Sequence, residues 1–372
     1  TLTTGSLFSS FDDLSGTGTI ETHGLVSDLD LVFDAENGLT RTLTLEAPGQ
    51  NITLNLNVDG TGSLGAGFSG SGTLRITDGL TVASHEGIVG LQSGSTGEAT
   101  VSGADSRWIS SERLYVGRYG NGTLNVEAGG EVSSTNGYIG HESGSTGVVT
   151  VTGIGTEWNN SNSLYVGGGS SGAGGSGTLN LNNSGLVTIS GTTKLWSDGT
   201  IILDGGTLDV GVLDLTLGTF NMLDGRLHAD SVVGDINIQG GTVAPGHSPG
   251  IMSISGNYVQ GNAATLEMEL GGTENGEYDR LLVTGEMTLG GNLEVELIDS
   301  FIPQVGDIFD LFSVEPGVDL QGSFSNIELP WINTGLWDTS GLLLVAANRA
   351  ELPRAQTALN DDRAHKIYLA VT

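Results

Sequence analysis

The chain has 372 residues, of which 62 are Gly, 7 are Pro, none is Cys and only 15% are charged. Its formal net charge of −31 makes nucleic acid and anionic membranes poor partners, because both need a Lys/Arg footprint. The missing cysteines exclude disulfides, thiol catalysis and Cys-type zinc sites, and no long apolar run marks a membrane span. Glycine at this frequency without a Gly-X-Y triplet predicts many tight corners. Thr1 opens as a processed, exported chain would, and the lack of cysteine fits an extracellular location.

Residues 1–60 carry short β-prone runs at Gly24–Val26, Leu29–Phe33, Thr42–Leu45 and Ile52–Val58. Ile52, Leu54, Leu56 and Val58 share one face at a period of two, as in a half-buried strand. This segment is expected to form an N-terminal cap or the first rungs.

From 61 to 250 the chain repeats itself. Gly72, Leu74, Ile76, Gly79, Val82 and Gly90 return fifty positions later as Gly122, Leu124, Val126, Gly129, Val132 and Gly140. Likewise Val101, Gly103, Trp108, Leu114, Tyr115 and Gly117 return as Val151, Gly153, Trp158, Leu164, Tyr165 and Gly167. A Gly/Ser insert, Gly168–Gly175, then delays the pattern. Leu203, Leu223 and Ile238 begin a tighter ladder whose Gly-containing corners recur at single-coil lengths. Such periods mark a stacked β-solenoid with two coils per fifty residues. At roughly 4.8 Å per coil, it predicts a rod about 40–50 Å long.

From 251 to 347 longer alternating strands are expected, at Ala264–Leu270 and Asn292–Leu297, with their acids outward and with Pro303, Pro316 and Pro330 in connections. Residues 348–372 read as a linker, with a short helix possible over 349–363, and a terminal β-strand.

The repeats and the segment Gly241–Gly250, followed by Ile254–Tyr258, Tyr278-Asp279 and Gly285–Leu293, resemble bacterial autotransporter passengers and their capping region, over about residues 70–345. The resemblance implies secretion, a right-handed parallel β-helix and a surface or matrix role. No membrane β-barrel follows residue 345, so export by another route and separate anchoring are expected.

Motifs that imitate chemistry each have a simpler reading. Gly246-His247-Ser248-Pro249-Gly250 matches a nucleophile elbow by letters, but that elbow needs a strand, a turn and a helix. Pro249 and β-prone residues follow instead, so a rigid capping turn is expected. Gly65, Gly67 and Gly70 match a dinucleotide fingerprint without its βαβ context, which makes them corner glycines. Asp204 and Asp224, extended by Asp209 and Asp214 and helped by Lys194 and Arg226, could build a glycosidase or lyase cluster. Asp before Gly is also simply turn-forming.

Asp28, Asp30, Asp34 and Glu36 could hold calcium, but their spacing matches no EF-hand or RTX loop, which favours a solvated acidic turn. Trp108, Trp158, Tyr115 and Tyr165 could form a sugar platform, although repeated aromatics more often close the core. His23, His85, His141, His228, His247 and His365 have no metal spacing. No catalytic, cofactor or metal residue is therefore assigned.

The expectation is an all-β protein, a right-handed parallel β-helix with a β-rich C-terminal cap. It would act as a non-enzymatic structural or adhesive element, extracellular or on a bacterial surface. Its partners would be itself or cell-surface and matrix glycans. A specific variant is filament formation through strand pairing by Thr1–Phe11 and His365–Thr372. The alternative is a β-helix polysaccharide lyase or glycoside hydrolase.

Overall fold

The computed structural model describes residues 1–10, 12–303, 307–314, 318, 320–328, 342–346 and 365–371. The span 349–363, Pro316, Pro330 and Phe11 lie outside them. The described elements are all strands, and the chain divides into two compact units, Thr1–Asp209 with Leu217–Phe220, and Val210–Thr216 with Asn221–Thr372.

In the first unit the chain winds as a parallel β-helix with three faces. One face stacks Leu25–Ser27, Leu64–Ala66, Gly87–Val89 and Arg113–Val116, then the second halves of Glu131–Ile139, Glu157–Val166 and Leu186–Leu195. The second stacks Asp30–Phe33, Ser71–Ile76, Thr96–Ser102, Asn121–Glu127, Thr146–Thr152, Ser176–Asn182 and Gly199–Asp204. The third stacks Thr81–Ser84, Arg107–Ser110 and the first halves of the three long strands. A separate sheet of Leu2–Thr4, Gly16–Thr22, Gln50–Asn57 and Thr40–Ala47 lies at the N-terminal end of the chain. Its Ile52, Leu54 and Leu56 are buried, with Val58 just beyond the strand buried too.

The register accounts for the fifty-residue period. Gly87 pairs with Leu114 and Leu114 with Gly137, so coils of 27 and 23 residues alternate. The cause is the alternation of large and small side chains inside. One inward row reads Val82, Trp108, Val132, Trp158, Val187. The adjoining row reads Leu64, Gly87, Leu114, Gly137, Leu164. A Cβ on Gly87 or Gly137 would sit 2.9 Å from Cζ2 of Trp108 or Trp158. Each indole therefore fills the space that a missing side chain leaves on the adjoining face. Two indoles on successive rungs would compete for one strand spacing, so the pattern needs two coils to close.

The corners after the first face need glycine for a second reason. Gly117 has φ +75°, and a Cβ there would stand 2.3 Å from the Thr146 carbonyl oxygen of the next coil. A left-handed backbone and a close approach coincide at one residue.

In the second unit, coils first shorten, with Leu227 pairing Val243, and then lengthen, with Leu266 pairing Leu293 and Leu293 pairing Ile327. The strand expected at Ala264–Leu270 is part of Tyr258–Leu270. Leu266, Met268 and Leu270 point inward, but Glu267 is not solvated as expected. It is only 8% exposed, because Arg226 covers it and donates through both guanidinium arms.

His365–Val371 is a strand, as the sequence suggests, yet it is not free to reach a neighbour. It pairs antiparallel with Ile308–Val314 on one side and with Leu342–Ala346 on the other. Leu2–Thr4 pairs with Gly16–Thr22 and is an edge strand of its sheet, and Leu7–Ser9 pairs with Leu25–Ser27.

Candidate functional site

Where the third face turns into the first, the long strands bend and leave a groove of about 350 Å³ along the outside. One wall is the outward row of Ser133, Asn159 and Thr188, which pair in register. The other wall is Thr135, Ser161 and Ser190, and Ser110, Ser134 and Asn160 border the groove with their side chains turned inward. The lining is made entirely of hydroxyl and amide side chains, without a charge. These residues stay on a strand because Thr and Ser tolerate the pleat while the inward Val and Trp bury the coil.

On the inward side of the same strands, the buried row beside the indoles is polar. Trp108 donates its Nε1–H to Ser84 Oγ at 3.1 Å, and Ser84 and Ser110 share a hydroxyl bond of 3.1 Å. One period later, Asn160 stands where Ser110 stood. Its Oδ1 accepts from Ser134 Oγ at 2.7 Å, and that arrangement leaves two donors behind. Asn160 Nδ2 and Trp158 Nε1 are both buried without a hydrogen-bond partner. A buried donor without an acceptor costs about 1–3 kcal/mol, so the interior beside Gly137 carries an unmet demand for an acceptor.

A second feature runs along the outside of the first face. Tyr115, Tyr138 and Tyr165 occupy successive rungs, stacked at 4.8 and 5.2 Å. His141 sets its ring edge against Tyr115 and Tyr138, and the Arg118 guanidinium lies 4.6 Å above Tyr115. Phe68 and Leu91 extend the cover. Burial pushes the Tyr115 and Tyr138 hydroxyls up and the His141 imidazole down from their ordinary ranges. Tyr115 and Tyr138 thus belong to a second core outside the coil and offer no open sugar platform. Trp108 and Trp158 are fully buried.

The other motifs resolve into structure. Gly246–Gly250 joins Ile236–Pro245 to Ile251–Ser255, strand to strand. The turn is clamped by Asp279, whose two carboxylate oxygens accept from the amides of Gly250 at 2.6 Å and Glu269 at 2.8 Å. Asp279 is 2% exposed, and desolvation raises its carboxyl to about 7 against the pull of those two amides. His247 meets Asp230 at 3.1 Å on the surface. Gly65 and Gly67 lie at a strand and its corner, with no helix among the described residues.

Asp204 and Asp224 are exposed, one in each unit. Asp224 accepts from the Gly225 amide at 2.7 Å, an Asp-Gly corner, and Asp214 accepts from Thr216. Arg226 is committed to Glu267 and to His228, while Lys194 lies 5.3 Å from the Trp196 ring.

The acidic N-terminal run is dispersed. Asp28 binds Ser69, Asp30 binds Thr73, and Asp34 closes its own turn onto Glu36 and Asn37. Its carboxyl lies below the ordinary range, chiefly through the Asn37 amide. No group of three His, Asp or Glu placed to hold a metal occurs among the described residues.

The groove escaped the motif reading because none of its residues belongs to a catalytic signature.

Comparison with protein-family models, curated proteins and solved structures finds no match for this chain.

Proposed function

We propose that the chain is a non-enzymatic structural or adhesive element, secreted and carried on a bacterial surface or in an extracellular matrix. This is the use to which autotransporter passengers with similar repeats put their solenoids. The observation that carries the reading is the fate of the catalytic look-alikes. The Ser248 loop is a clamped strand-to-strand turn, the Asp224 carboxylate closes its own corner, and the indoles are core. What remains on the outside of the repeat coils is a continuous, rigid, uncharged groove, which suits contact better than bond cleavage. Both edges of His365–Val371 are occupied within the chain, so the reading routes no assembly through that strand.

Its competitor is a polysaccharide lyase or glycoside hydrolase. Incubating the protein with neutral and acidic polysaccharides and measuring new reducing ends and unsaturated products separates the two. No product is expected. Product release that disappears in Asp204→Asn or Asp224→Asn would overturn the proposal.

A further inference from the structure

We infer that the strand Thr40–Ala47 is a docking edge for a second copy of this chain, the two strands pairing antiparallel about a two-fold axis at Leu43. An enzyme with the same sheet would pair in the same way, so this edge is independent of the surface-element reading.

Thr40–Ala47 pairs antiparallel with Gln50–Asn57 along its whole length without a break in register, and it closes one side of the four-stranded N-terminal sheet. Among the described residues it is the longest strand that pairs on one side only. The alternation of an antiparallel ladder fixes what its free side presents. Val58 donates its amide to the Leu39 carbonyl at 3.1 Å, so Arg41, Leu43 and Leu45 also direct their backbone groups to the inner neighbour. Thr40, Thr42, Thr44 and Glu46 direct theirs outward, and all are exposed. Each carries an N–H and a C=O, and no strand among the described residues takes them.

Natural edges are blunted by short length, proline, bulges or charge. This strand has eight residues, no proline and no bulge. Its Arg41 turns onto its own fold, where Nη1 donates to the Val32 carbonyl at 2.7 Å, and Glu46 stands near one end. Thr42 donates to Asn55 at 2.9 Å, and Asn55 donates to Glu21 at 2.9 Å. Those bonds tie the edge to two strands behind it and hold it ready for a partner.

A copy of the same strand fits this edge. Residues that face each other across an antiparallel pair share one side of the sheet, so even numbers must meet even and odd must meet odd. An axis at Leu43 satisfies this. Thr42 then faces Thr44 of the copy and Thr40 faces its Glu46, which uses every outward backbone group. On the other side, half-buried Leu43 meets the copy's Leu43, and the stem of Arg41 meets the copy's Leu45. In a chain of net charge −31 most surfaces repel a copy. Here the two Glu46 carboxylates fall at opposite ends of the pair, and no like charges face each other.

The test is sedimentation equilibrium of the full chain at physiological salt, from about 1 to about 500 µM. A reversible dimer is expected, with a dissociation constant on the order of 10–100 µM, as suits a small interface. Thr44→Pro removes an N–H that is not used within the single chain, so thermal unfolding should stay near that of the parent. It should weaken the dimer at least about tenfold, since each copy loses a bond. Thr42→Lys combined with Thr44→Lys sets like charges face to face and should abolish the dimer. Thr42→Lys combined with Thr44→Glu sets opposite charges face to face at the same positions and should restore it. Circular dichroism checks that each variant folds, and if the proline chain does not, the comparison of the two double variants decides. A chain that stays monomeric over the whole range overturns the inference and leaves the edge to another occupant or to none. So does a dimer that the double lysine change leaves intact, or a lysine–glutamate chain that fails to recover it.

Discussion

Between Gly72 and Leu203 the ladders are apolar inside and stack at most the pair Glu131 and Glu157, with Arg107 on Glu131, whereas from Arg226 to Glu328 one row carries carboxylates on three consecutive strands. In the first region a rung is stabilised by shape: Trp158 lies against the space over Gly137, and Ser134 answers Asn160. In the second, Glu267, Glu294 and Glu328 stack in register, as do Glu269 and Glu296. Arg226 meets Glu267, and Arg280 meets Asp310 at 2.9 Å. The difference teaches that a parallel solenoid multiplies whatever it places in a row. Repeated apolar residues make a core, and repeated acids make a field that single arginines must offset.

The largest expected effect breaks the shape side of this comparison. Trp158→Ala leaves a cavity over Gly137 and should cost about 3–5 kcal/mol. Adding an indole should also destabilise. Val132→Trp places three indoles on successive rungs and should cost about 1–3 kcal/mol by overpacking. Denaturant unfolding of both variants measures the pair. A neutral Val132→Trp would show that the two-coil period has another cause.

The next effect belongs to the charged region. Asp279 is buried with its carboxyl raised to about 7, mainly by desolvation. Between the ordinary carboxylate range and pH 7 the folded chain holds a proton that the unfolded chain releases. Stability from this group is therefore fully present below pH 4 and is lost as pH rises through 7. In Asp279→Asn that slope should vanish, although one of the two amide contacts, to Gly250 or Glu269, is weakened at every pH. Thermal unfolding of both chains from pH 4 to 8 checks this, with an expected difference of a few kcal/mol across the range. Parallel curves would mean that Asp279 is ionised in the fold.

How much of this was legible in the sequence divides along the same line. The solenoid, its corners and the two coils per period follow from Gly, Trp and Val positions alone, because the rungs are periodic and the interior forces alternation. The burial of Trp108 and Trp158 was readable for the same reason. Tyr138 was not. It replaces Ile88 at the equivalent repeat position, and only the register stacks it between Tyr115 and Tyr165. The Arg226–Glu267 pair spans 41 residues, and no local pattern links its partners. Coil length in that region changes from turn to turn, so it could not be counted forward. The groove fell between these cases, because its residues are visible in the repeats but their shared concavity is not.

The smallest effect sharpens the field side of the comparison. Glu294 lies between Glu267 and Glu328 on adjoining strands, and its carboxyl is raised by desolvation and then by Glu296, Glu267 and Glu328, with Arg226 opposing. Like charges on facing positions cost a few tenths of a kcal/mol each. Glu294→Gln keeps the side chain's shape and removes one charge from the row, so it should stabilise the fold by about 0.5 kcal/mol at pH 7. Added salt screens the same repulsion, so the advantage should shrink as ionic strength rises. It should also disappear in mild acid, where Glu294 takes up its proton in any case. A Glu294→Gln chain less stable than the parent at low salt would show that the carboxylate is held by a favourable contact, and that the row is not a field which Arg226 must offset.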